Sequence, residues 1–139
     1  MSAIPAIFGV LGLIVAFVIY RVVKKHPAGE GKVIEIGEQI HIGAMVFLKR
    51  EYSILAVFVA VVATSLFFSP LGLNTTIAFL VGALCSASAG YIGMFSATQA
   101  NMRTTTAAHE KGAAVALSIA FFGGSIMGLT VAALGLLGL

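Results

Sequence analysis

Polar and apolar positions fall in long blocks along this chain. Four stretches carry no charged residue: 3–20, 52–68, 75–94 and 113–139, which are 18, 17, 20 and 27 residues long. A helix crosses ~30 Å of hydrocarbon with ~20 apolar residues, within a range of ~17–25. The pattern therefore predicts an all-α, polytopic membrane protein of four transmembrane helices. It forms one membrane domain over 1–139, with spans at about 3–23, 52–68, 75–103 and 112–139.

The breaks between the blocks refine this. Pro5 falls in the first turn of the first span, where its missing N–H costs nothing, and Gly9 and Gly12 allow close packing. Arg21, Lys24, Lys25, His26 and Pro27 end that span, and residues 28–32 read as a turn. In 33–51, Val33, Ile36, Ile40, Ala44 and Phe47 recur at intervals of three and four, which is one helical face. Ile34, Ile36, Ile40 and Ile42 also alternate, which leaves a strand open. A helix is the preferred reading, because no breaker separates this segment from the second span; it would extend that span or lie at the membrane surface. Residues 69–74 read as a short uncharged turn. The third helix is expected to outrun its apolar part, through Ser96, Thr98, Gln99 and Asn101 to Arg103, with 104–111 as a polar connector.

Composition agrees. The chain is 60% hydrophobic and 9% charged, with a mean hydropathy of +1.09, whereas a soluble domain runs at ~25% charged. That excludes nucleic-acid binders, secreted disulfide scaffolds and soluble enzymes. The net charge of +3 resides between the spans, so it reads as topology and as attraction to membrane lipid headgroups. Six Lys and Arg sit in the first connection (Arg21, Lys24, Lys25, Lys32, Lys49, Arg50), none in the second, and two in the third (Arg103, Lys111). The positive-inside rule places connections one and three in the cytoplasm and both chain ends outside. The expected location is an integral, multi-pass position in the cell membrane.

Small residues mark expected helix contacts. Gly82, Ser86 and Gly90 recur every fourth position, beside a second row of Ala89, Gly93 and Ala97; Gly124, Gly128 and Ala132 do the same in the fourth span. Such rows let membrane helices approach closely, and they imply that the third and fourth helices pack on each other or on helices outside the chain. The alternative, room for a substrate pathway, has no polar group to line it.

Candidate chemistry is sparse. A carrier binds charge through an ionisable group inside the membrane, and the four uncharged stretches contain none. The five carboxylates, Glu30, Glu35, Glu38, Glu51 and Glu110, all flank the spans, and there is no Asp. Glu35 and Glu38 could share a helix face, although a solvated face explains them. His26, His41 and His109 show no ligand spacing, and Cys85 stands alone in a span. No catalytic, cofactor-binding or metal residue emerges.

Three phrases carry a resemblance. Residues 43–52 (GAMVFLKREY), then 90–94 (GYIGM) with 97–104 (ATQANMRT), and 123–129 (GGSIMGL) resemble the entry to the second helix, the end of the third and the fourth helix of membrane-integral, ion-pumping inorganic pyrophosphatases. The resemblance implies a much larger homodimeric enzyme of about sixteen helices per subunit. That family hydrolyses pyrophosphate at a cytoplasmic magnesium site, in some cases with potassium, and pumps protons or sodium. This chain resembles only its first four helices, part of an outer ring around the catalytic helices. The Asp-rich catalytic segment follows the fourth helix and has no counterpart here. Lys49, Arg50, Glu51 and Arg103 match outer-ring positions, which implies topological or interfacial roles.

The expectation is thus the N-terminal membrane portion of an ion-translocating pyrophosphatase, inactive by itself, whose partners are lipid and the remaining helices. A non-catalytic scaffold or assembly partner is the first alternative and a small independent transporter the second.

Overall fold

A computed structural model describes residues 3–70 and 72–138. The start of the chain before the first span, one residue of the expected 69–74 turn and the last residue of the expected fourth span lie outside the described residues. The described chain is all-α, with four helices: α1 (Ala3–Lys24), α2 (Lys32–Phe67), α3 (Gly72–Glu110) and α4 (Ala113–Leu137). The segment 33–51 is helical and continuous with the second span, so the strand reading of its alternating isoleucines falls away.

Helix ends follow local chemistry. α1 closes with Arg21 and Lys24 in its last turn, where cations complement the carbonyl end of the helix dipole. Between α3 and α4 only Lys111 and Gly112 interrupt the helix, and Gly112 takes φ +86°, a left-handed conformation open to glycine.

The polar segment 104–111, expected as a connector, is helical through Glu110. Its side chains bond inside the helix. Thr105 and Thr106 donate to the carbonyls of Asn101 and Met102, both at 3.1 Å, and Arg103 Nη1 donates to the Gln99 carbonyl at 2.7 Å. Ala107 and Ala108 favour the helix, and no glycine or proline intervenes before Gly112.

α1, α3 and α4 are each long and apolar enough to cross a membrane. α2 differs from them. Its first twenty residues carry Lys32, Glu35, Glu38, Lys49, Arg50 and Glu51, and only the stretch after these is continuously uncharged. At ~1.5 Å per residue, the 36 residues of α2 and 39 of α3 reach well past ~30 Å of hydrocarbon.

The helices form a bent row in the order α2, α3, α4, α1, with a minor contact between α1 and α3 closing the bend. α1 and α2, adjacent in sequence, do not touch among the described residues. The core lies where α1, α3 and α4 meet near the α1–α2 connection: Val23, Ala100, Ala107, Ala116 and Ile119. Most large apolar side chains face outward, including Phe8, Ile54, Phe58, Leu84 and Phe121. In water such a surface would drive aggregation; it suits lipid or further helices.

Candidate helix-packing interface

The positions that organise this fold are those where backbones come close. On α3 the buried residues Ala89, Gly93, Ser96, Ala100, Arg103 and Ala107 fall three or four apart and form one stripe. It meets a stripe of α4 containing Ala116, Ile119, Gly123, Ile126 and Thr130. Met127 lies against the bare α-carbon of Gly93, and Gly123 leaves room for the Ala100 methyl. α1 is joined to α4 in the same way: Gly9 faces Leu137 and the Ala133 carbonyl, and Gly12 faces the Ala133 methyl.

The α2–α3 seam adds polar contacts. The Tyr52 hydroxyl donates to the Ala87 carbonyl at 2.5 Å and lies over Gly90. Thr98 Oγ1 lies 2.9 Å from the Phe95 carbonyl and 2.7 Å from Nδ1 of His41, which joins the hydroxyl, the imidazole and the α3 backbone in one hydrogen-bonded group. Met102 fills the space above Gly37. The Thr106 hydroxyl lies 3.0 Å from the Ala28 carbonyl as well as 3.1 Å from that of Met102, so its one proton is shared between them and links the α1–α2 connection to α3.

The residues singled out from sequence separate into distinct environments. Gly90 and Gly93 sit at helix contacts, against Tyr52 and Met127. Gly82 and Ser86 line an open groove of about 640 Å³ between α3 and α4, shared with Cys85, Met127 and Gly135. Gly124 and Gly128 face open space on the outer side of α4. Lys49, Arg50 and Glu51 are exposed next to buried Leu48, whereas Arg103 is 7% exposed. Its Nη1 is held by the Gln99 carbonyl and, at 3.2 Å, by Gln99 Oε1; its Nε has no partner.

The pattern of small residues did not reveal Gly37, Gly123, Tyr52 or Thr106 as contact positions. The four-residue row of small side chains runs through Gly124, Gly128 and Ala132, whereas Gly123 is followed at that spacing by Met127 and Val131 and so lies outside it. Tyr52 and Thr106 act on carbonyls, which sequence spacing does not mark.

All five glutamates are exposed, and no group of three or more metal-binding side chains converges among the described residues. A magnesium site for phosphate groups needs converging oxygen ligands, and the residues present do not fit one.

What the chain belongs to follows from sequence comparison. Residues 10–139 match the family described as inorganic H+ pyrophosphatase. The chain belongs to that family. It is similar to a putative K(+)-stimulated pyrophosphate-energized sodium pump of Clostridium tetani, 45% identical over 122 residues, covering 87% of the chain and 18% of that protein. It is also similar to a K(+)-insensitive pyrophosphate-energized proton pump of Methanosarcina mazei, 41% identical over 131 residues, covering 94% of the chain and 19% of that protein. A K(+)-stimulated pyrophosphate-energized sodium pump of Thermotoga maritima is 43% identical over 122 residues, covering 86% of the chain and 16% of the relative. The chain therefore spans about a fifth of the length of these pyrophosphatase-family relatives. The apolar helices and this membership make it an integral membrane protein.

Proposed function

We infer that this chain is the N-terminal helical portion of an ion-translocating pyrophosphatase and serves as a packing framework rather than a catalyst. One observation carries the reading: the buried surface is made mainly of small and apolar residues at helix contacts, with a few hydroxyls and Arg103 among them, while all five carboxylates are exposed. Pyrophosphate hydrolysis coupled to proton or sodium movement would then be performed by helices outside these 139 residues, with magnesium, and potassium where required, bound there. The remaining helices of a subunit and a second subunit of a homodimer are its proposed partners. The basic first connection would face the cytoplasm and Ala3 the opposite side.

Two measurements test this. The purified chain in lipid should release no phosphate from magnesium pyrophosphate and should move no ions. Co-expression with a segment encoding the rest of a pyrophosphatase should restore hydrolysis. Turnover by the 139 residues alone would overturn the reading.

A scaffold role outside any enzyme is the second reading, and the open glycine face of α4 at Gly124 and Gly128 favours it. It differs in predicting no restored hydrolysis on co-expression, together with stable association with other membrane helices.

A further inference from the structure

α1 and α3 both lean on α4 but barely touch each other. The gap between them is a cleft of about 350 Å³, floored by Ile126 and Thr130 of α4 and walled by Leu13, Phe17 and Tyr20 of α1 and by Tyr91, Ile92 and Phe95 of α3. Its volume lies within the ~300–1,000 Å³ of small-molecule sites. The lining is almost wholly apolar, and its aromatic rings are in mutual contact: Phe95 lies 6.4 Å from Tyr20 and 6.3 Å from Tyr91, centroid to centroid. Leu13 to Tyr20 spans ~10 Å along α1, so the cleft suits a rod of carbon chain rather than a compact solute.

Charge at one end of the cleft identifies the occupant. Phe17 and Tyr20, which form the α1 wall, each carry a cation one helical turn further on. The Arg21 guanidinium lies 5.9 Å from the Phe17 ring centre, and Lys24 Nζ lies 5.8 Å from that of Tyr20. The apolar lining thus continues directly into two exposed cations, and α1 carries no carboxylate to neutralise them. A hydrocarbon tail attached to an anionic group matches both halves.

We propose that the cleft between α1 and α3 holds an acyl chain of an anionic phospholipid whose phosphate is bound by Arg21 and Lys24. The lipid belongs to the leaflet on the side of the basic α1–α2 connection. It fills a gap in the bend of the row that α1 and α3 leave unclosed. The proposal concerns this chain's own surface and does not depend on catalysis by missing helices.

Native mass spectrometry of the 139-residue chain, released from detergent with phosphatidylglycerol or phosphatidylcholine, tests it. Phosphatidylglycerol should be retained roughly tenfold better, since each basic side chain at the surface adds to anionic-lipid binding. Arg21→Gln with Lys24→Gln should reduce that preference to near parity while leaving helicity unchanged, because both residues are exposed. Ile92→Trp should fill the cleft and lower retention of both lipids together. Inorganic phosphate at millimolar concentration should not displace the bound lipid, since it lacks the tail. Equal retention of the two lipids by the native chain, or an undiminished preference in the double variant, would overturn the proposal. So would efficient cross-linking between copies through Phe17→Cys in a Cys85→Ser background, which would show a second helix in the cleft.

Discussion

The phenol of Tyr52 lies over the α-carbon of Gly90, where a β-carbon would come within 2.8 Å of its oxygen. The same hydroxyl donates to the Ala87 carbonyl, one turn earlier on α3. A glycine and a tyrosine 38 positions apart thus form one contact: the absent side chain makes the space and the hydroxyl fixes the depth. Gly90→Ala should force the phenol aside at a cost of ~1–3 kcal/mol, as other overpacked sites do. Unfolding in increasing dodecyl sulfate measures it. Adding Tyr52→Phe should recover part of the loss, and an equal loss in both backgrounds would show that the phenol is not the obstacle.

Tyr52→Phe alone removes one hydrogen bond at the α2–α3 seam. Such bonds contribute ~0.6 kcal/mol on average between membrane helices, so a small loss is expected. Hydrogen exchange should show it in α2, whose packing within the chain is to α3 alone among the described residues, and leave the α1–α4 pair unchanged.

Gly128→Leu separates contacts within the chain from contacts beyond it. A β-carbon there meets nothing within 4 Å, so the isolated chain should keep its stability to within ~0.5 kcal/mol. Association with complementary helices, read by co-purification, should fall. Destabilisation of the isolated chain as large as that from Gly93→Leu would contradict the structure.

Arg103 is buried with an unpartnered Nε, and its hydrogen-bond partners among the described residues are the carbonyl and side chain of Gln99. Replacing buried ionic groups with apolar residues of similar shape is often neutral or stabilising by ~1–4 kcal/mol. Arg103→Met should therefore leave the isolated chain as stable or more so. A clear loss of stability would mean that the guanidinium has a partner that compensates its burial.

Thr106→Val should release the α1–α2 connection. It removes the bond to the Ala28 carbonyl, worth ~0.5–1.5 kcal/mol, and residues 25–31 should become easier to cleave in limited proteolysis. Gly29→Ala should act on the same segment by strain, because Gly29 holds φ +97° beside Thr106.

The helices themselves were largely legible in the sequence, because charge-free blocks of spanning length have few other physical solutions. The merger of 33–51 with the second span followed from the lack of a breaker. The end of α3 was not legible: a run of threonines beside a basic residue looks like a loop, and only the bonds of Thr105, Thr106 and Arg103 back into the helix reveal otherwise. The contact positions were half visible. A four-residue row of small side chains marks a face able to approach another helix, but it does not name the partner. Gly93 found Met127, whereas Gly128, in an equally regular row, faces open space. Carbonyl-directed contacts such as Tyr52 to Ala87 depend on depth along the neighbouring helix, which one-dimensional spacing does not encode.

The bent row also bears on how the protein is made. Of these four helices α1 is made before the others, yet its main neighbour is α4, the last of them. Until α4 enters the bilayer, Gly9 and Gly12 have no surface to close against, and α1 has only its slight contact with α3. Domains whose contacts join distant parts of the chain assemble late and slowly. A ribosome pausing between α3 and α4 would therefore leave α1 tethered to α2 with only its slight contact to α3, and membrane quality control could meet it during that interval as an unpacked helix.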